Sequence, residues 1–210
     1  MIIKDALGLY LYIDRYTFRD GYFYNYSGEL VSPNELDYFT SRAISAITDL
    51  YKTDMGKMAI DELQNSSFNY YIKYAETNRF EQADTRGAFA LNNKIFMNDW
   101  IIGSGGTIYW NPEGIELFTQ KGLKRNSTTD LAHELFHAMD ANHGVMDNTD
   151  YNGGISKNEW QAVYNENLLR MEMQLPLRTY YRKGITENGF IPLGPRMTKK
   201  GKPIKPEGYN

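Results

Sequence analysis

The sequence predicts an α+β fold: a small, mostly antiparallel sheet with long helices following it. Short Tyr-rich runs in the first half sit between turn residues, as half-buried strands do. Other stretches repeat apolar residues at helical spacing, two in the first half and two in the second. Hydrophobic residues make up 41% of the 210, enough for a substantial core.

Taken in order, residues 9–13 and 22–26 read as a hairpin-like pair of strands around Arg19, Asp20 and Gly21. Ser32-Pro33-Asn34-Glu35 reads as a helix start, with the helix running to about Tyr51 and Phe39, Ala43, Ile44 and Ile47 facing inward. A second helix is expected from Met55 to Gln64 and a strand from Phe68 to Tyr74. Residues 76–93 look polar and irregular, and Lys94–Ile101 reads as one strand. Gly103-Ser104-Gly105-Gly106 is a turn before a strand at 107–111, which Pro112 ends. A helix is expected over about 128–142, a glycine-bearing loop over 144–156 and a long helix over about 157–174. The chain is read as one domain over 1–182 with a basic Gly/Pro-rich tail over 183–210.

Composition excludes several classes. The formal net charge of −3 argues against a general nucleic-acid binder. No apolar run approaches the ~20 residues of a membrane span. With no cysteine, disulfides, thiolate catalysis and Cys-ligated zinc are all ruled out. The amino terminus has no signal-peptide layout, because Asp5 and later polar residues interrupt any apolar core. The protein is therefore expected either in the cytoplasm or secreted or delivered to a target cell without a classical signal peptide. Arg196, Lys199, Lys200, Lys202 and Lys205 cluster near the end, and they read as a solvated tail before they read as a nucleic-acid or membrane contact.

All three histidines fall in one stretch, His133-Glu134-Leu135-Phe136-His137-Ala138-Met139-Asp140-Ala141-Asn142-His143. Its first five residues read H-E-x-x-H. Four helical residues turn about 400°, so His133 and His137 share one face, spaced to hold one Zn²⁺ between them. Glu134 is placed to take a proton from an attacking water. The motif also arises by chance, but here it lies on a segment with a core stripe (Leu131, Leu135, Ala138, Met139) and a capping stretch, Ser127-Thr128-Thr129-Asp130. The expected fold is accordingly a zincin-like metallopeptidase, with a ligand-bearing helix after the motif helix.

A catalytic zinc takes three protein ligands and keeps one position open. Glu159 is the first candidate for the third. At 100° per residue Trp160, Tyr164, Leu168, Met171 and Leu175 form one stripe of the helix, while Glu159, Val163, Glu166 and Arg170 form another. Against this, Ser156-x-x-Glu159 is also a capping box, which would turn Glu159 onto the backbone. Glu166 is an alternative ligand, or a residue that fixes the tautomer of a ligand histidine. His143 is the other alternative, although Asp140 stands where a metzincin has its turn glycine.

The strings Gly-Gly-Thr-Ile-Tyr-Trp-Asn-Pro (105–112), His-Glu-Leu-Phe-His-Ala (133–138), Asn-Glu-Asn-Leu-Leu-Arg-Met-Glu (165–172) and Pro-Leu-Arg-Thr-Tyr-Tyr (176–181) resemble NleD-type effector metallopeptidases and related domains at the carboxyl ends of Rhs-like toxins. The resemblance covers roughly residues 100–182 and implies a secreted bacterial zinc endopeptidase, an effector or toxin whose partner is a protein or peptide substrate, host proteins included. Asn-Glu-x-x-Ala around Glu159 resembles the third-ligand segment of Glu-type zincins. Arg178 and Tyr181 resemble the Arg-x-x-Tyr pair with which clostridial neurotoxin light chains steady the oxyanion. The plainer role for Arg178 is a salt bridge to a carboxylate such as Glu172. The competing reading of the whole chain is a catalytically inactive zinc-binding or adhesion module on the same fold.

Overall fold

The computed structural model describes residues 11–13, 16–19, 22–25, 27–32, 36–83, 89–91, 94–97, 100–101 and 103–209. The chain opens with three short strands, β1 (Leu11–Ile13), β2 (Tyr16–Arg19) and β3 (Tyr22–Tyr24). They form an antiparallel meander in which β2 separates the two strands expected to pair. Residues 9, 10, 20, 21 and 26 of that expectation lie outside the described residues.

Helix α1 (Tyr38–Tyr51) begins later than the Ser32–Glu35 stretch suggested, and residues 33–35 are outside the description. Its start is set by Asp37, whose side chain accepts from Thr40 N at 2.9 Å and so satisfies an otherwise orphan donor. Helix α2 (Asp54–Gln64) is capped in the same way by Thr53. Ala43 and Ile47 are buried as expected, while Phe39 and Ile44 pack at the margin of the core.

Strand β4 (Tyr70–Tyr74) follows. The stretch expected to be irregular then contains β5 (Arg79–Gln82) and β6 (Phe89–Leu91). The single strand expected over 94–101 is two antiparallel pieces, β7 (Lys94–Met97) and β8 (Trp100–Ile101), in a three-stranded sheet with β6. Strand β9 (Gly106–Trp110) completes a six-stranded sheet of order β3-β2-β1-β4-β9-β5. Its central pairings, β1 with β4 and β4 with β9, are parallel, and β5 closes it antiparallel to β9. Period-two alternation sends Ile72, Ile108 and Trp110 into the core.

Two glycines make close approaches possible. A Cβ on Gly103 would stand 1.8 Å from Asn142 O, and one on Gly106 would stand 2.4 Å from the Phe80 ring. Gly106 thus lets Phe80 lie across β9 and seats β5 as the sheet's edge.

Next comes the hairpin of β10 (Glu116–Thr119) and β11 (Gly122–Arg125), then α3 (Ser127–Asn142) and α4 (Lys157–Glu172). Trp110 Nε1 donates to Ser127 O at 2.8 Å, joining the end of β9 to the start of α3. Leu131, Leu135 and Phe136 of α3 share one core with α1, α2, β4 and β9.

The final stretch, expected to lack pattern, is built of strands: β12 (Tyr180–Thr186), β13 (Gly189–Arg196), β14 (Thr198–Lys199) and β15 (Lys202–Pro203). It packs back on α4, where Met197 joins Ile155, Trp160 and Val163 in a second cluster and Trp160 Nε1 donates to Ile204 O at 3.0 Å. Periodicity could not reveal this, because β12 shows no two-residue alternation, β13 is exposed along nearly its whole length and β14 and β15 are two residues long.

Candidate active site

Helix α3 is capped by Asn126, one residue before the expected stretch, with its side chain accepting from Thr129 N at 3.0 Å. From Thr129 to Ala141 every residue of α3 is buried, so the motif sits inside the molecule rather than on an amphipathic face. His133 and His137 lie one turn apart with their Nε2 atoms 3.2 Å from each other.

Helix α4 crosses α3 and delivers Glu159. Its Oε2 is 3.2 Å from His133 Nε2 and its Oε1 3.5 Å from His137 Nε2. The capping-box alternative for Glu159 is not what the helix adopts. Ser156 makes no side-chain cap bond; Asn158 Oδ1 instead accepts from Glu159 N at 2.8 Å, leaving the Glu159 carboxylate free to face the histidines.

These three side chains can hold a metal ion. Tetrahedral zinc with bonds of about 2.0–2.1 Å needs ligand atoms about 3.3–3.4 Å apart, close to the separations here. The donor set of two imidazoles and a carboxylate is also what zinc accepts. One cation at the centre would satisfy three converging lone pairs at once.

The other two third-ligand candidates go elsewhere. Helix α3 continues through Asp140 to Asn142 without the turn a metzincin needs. His143 is therefore carried round the helix, half exposed, to Glu62 at 3.1 Å. Glu166 reaches the far side of the first histidine, with its Oε2 3.3 Å from His133 Nδ1. It is fully buried, and it accepts from Arg170 Nε and Arg178 Nη1, each at 2.7 Å. Arg178 thus pairs with Glu166 rather than Glu172, whose carboxylate accepts from Met55 N at 3.1 Å.

Electrostatics follow from this packing. Burial works against a charged His133, but Glu159 and Glu166 outweigh it and push its pKa up to about 10; the same field favours any cation placed there. Burial alone would raise Glu159 and Glu166. The histidines hold the first well below the usual carboxylate range, and Arg178 and Arg170 hold the second there. Burial pushes Glu134 upward, with His133 and His137 pulling the other way. The Tyr181 phenol is raised by burial and then by the charge of the Glu159 carboxylate.

The cluster opens into a cleft of about 350 Å³, lined by Glu134, Arg178, Tyr181, Asp130, Met146, Ile115 and Leu117, with Asn78, Arg79 and Phe80 at the edge strand. All six expected site residues (His133, Glu134, His137, Glu159, Arg178 and Tyr181) border it. Sequence reasoning missed β5 and its wall of the cleft, where Phe80 is the one apolar signal in Asn-Arg-Phe-Glu-Gln. It also missed Asp130 as a buried cleft residue, whose Oδ2 accepts from Ile115 N at 2.8 Å.

A histidine-bearing helix crossed by a glutamate-bearing one, beside a cleft with an edge strand, is the outline of a peptidase. The chain belongs to the Peptidase_M91 family of effector proteins, whose model matches residues 28–181. No curated protein matches the sequence. Among the described residues no helix is long and apolar enough to cross a membrane.

Proposed function

We propose that the protein is a zinc-dependent endopeptidase that cleaves protein substrates, host proteins among them, after delivery to a target cell. The observation that carries this reading is the convergence of His133, His137 and Glu159 in the same cleft as Glu134. His133, His137 and Glu159 hold the ion. When bound, it supplies Lewis acidity to the scissile carbonyl and to the attacking water.

Glu134 takes the water's proton on its carboxylate and passes it to the leaving amine; its burial favours this by making the carboxylate a stronger base. Tyr181 donates its phenolic proton as a hydrogen bond to the carbonyl oxygen as charge develops there. Arg178 holds Glu166 and the chain leading to Tyr181, so it supports the oxyanion from behind. Glu166 keeps the His133 ring oriented through Nδ1. Among the described residues no strand covers the outer side of β5, so it can pair with an extended peptide, and Phe80, Ile115 and Leu117 offer apolar contacts.

An inactive zinc-binding module has no use for a buried carboxylate beside the metal cluster. Glu134→Gln separates the two readings. The parent, supplied with zinc, is expected to create new protein amino termini in a cell lysate in a chelator-sensitive way. The variant should bind zinc as well as the parent does and create none; equal cleavage by the variant would overturn the mechanism.

A further inference from the structure

For Tyr181 to reach the cleft, the chain after α4 must turn sharply, and its backbone is held from both sides. On one side, β10 and the residue that follows it supply the hydrogen bonds. Gln120 N donates to Leu177 O at 2.9 Å, and Thr179 N donates to Phe118 O at 2.8 Å. The backbone groups of Arg178 point the other way, where no strand lies among the described residues. They meet the side chain of Asn167, fully buried on α4. Arg178 N donates to Asn167 Oδ1 at 2.7 Å, and Asn167 Nδ2 donates to Arg178 O at 3.0 Å.

One amide side chain therefore performs both halves of a strand residue's pairing. The preceding residue on the same helix, Glu166, takes the Arg178 guanidinium. That guanidinium in turn donates to the carbonyls of Tyr180 and Tyr181, closing the turn. Two adjacent residues of α4 thus face the two functional ends of the cleft, Glu166 the His133 ring and Asn167 the segment that carries Tyr181.

We infer that Asn167 is a positioning residue, a side-chain surrogate for a β-strand that fixes where the Tyr181 phenol stands relative to the metal cluster. The inference deepens the peptidase reading, in which Tyr181 is the oxyanion donor. A merely structural amide would change stability and nothing else. A positioning one should move Tyr181 while the metal cluster stays intact, because the Asn167 amide bonds to the Arg178 backbone and not to His133, His137 or Glu159.

The test places 3-fluorotyrosine at position 181 of the full chain, loaded with zinc, and reads its ¹⁹F resonance. Asn167→Asp keeps the volume and an acceptor for Arg178 N but cannot donate to Arg178 O. It should shift or broaden the resonance while zinc affinity stays within about threefold, against the 10–100-fold losses that follow when a ligand's own support is removed. With a cleavable substrate in hand, kcat should fall and KM hold. An unmoved resonance, or zinc lost in step with the shift, overturns the inference.

Should Asn167→Asp fail to fold, hydrogen exchange on the parent decides. The Arg178 amide must exchange as slowly as the core of α4, and fast exchange overturns the inference equally. Neither structural readout needs cleavage, so a failure here leaves the peptidase reading standing, and an inactive chain would leave this brace standing.

Discussion

Helices α3 and α4 are each sixteen residues long and lie against one another, yet α4 alone of the two buries a carboxylate–guanidinium pair of its own beside its apolar residues. Helix α3 buries Leu131, Ala132, Leu135, Phe136 and Ala138, with Asp130, His133, Glu134 and His137 as the buried polar residues on its cleft side. Helix α4 buries Glu166, Asn167 and Arg170, each no more than 2% exposed, while Met171 next to them is 53% exposed. Helix α4 also buries Trp160, Ala162, Val163 and Leu169, so both helices are held in by the hydrophobic effect, and α4 must in addition keep its buried charges paired. A buried charge is tolerated only when each of its bonds is met. A helix face built that way resists sliding, because a shift would break those bonds, and so helps to hold Glu159 at a fixed separation from the two histidines.

The contrast can be broken from either side. The largest effect is expected from Glu166→Ala, which strands Arg170 and Arg178 in the interior and frees the His133 ring. Stability should fall by about 3–5 kcal/mol in denaturant titration, and zinc affinity by about 10–100-fold. If both losses were small, α4 would not be held by its charges. Leu135→Ala on α3 should cost about 2–5 kcal/mol through a cavity yet leave the zinc affinity of the folded protein unchanged. Coupled loss of metal there would mean the apolar face also aligns the histidines.

A smaller effect should appear as a pH slope. Burial pushes Asp130 up to about 7, with Glu166 adding to the rise and the Ile115 N–H, Arg170 and Arg178 opposing it. A carboxyl raised in the folded state binds its proton more tightly there than in the unfolded chain. It therefore stabilises fully at low pH and loses that contribution as pH rises from about 4 toward 7. Asp130→Asn should flatten this slope in thermal unfolding across that window; an unchanged slope would mean that Asp130 does not cause it. The smallest effect is Met171→Lys, expected to cost under about 0.5 kcal/mol. A core-sized loss would restore the apolar stripe that periodicity assigned to α4.

That stripe shows where the sequence was legible and where it was not. Helix α3 could be read because it carries an apolar stripe and its histidine spacing is a four-residue repeat that any helix preserves. Glu159 was legible for the same reason, as one member of a stripe with Glu166 and Arg170. The stripe's inward role was harder to see, since charged residues at helical spacing ordinarily mark a solvated face. Asn167 stood only inside the 165–172 string that carries the resemblance, with no role of its own, because its function depends on Arg178, eleven residues later and folded back against it. Strand β5 was hidden by its polar residues, which suit an edge, and the β12–β13 hairpin by the near-complete exposure of β13 and the lack of alternation in β12. Its Ile185 is 79% exposed.

The central claim is that α3 and α4 together hold one zinc ion, and an anomalous difference map at the zinc edge from zinc-grown crystals tests it most directly. The expected result is a single strong peak within bonding distance of His133 Nε2, His137 Nε2 and a Glu159 oxygen, with Glu166 behind His133 and His143 remote. A peak bound by His143, or no peak at the two histidines with zinc supplied, would contradict it.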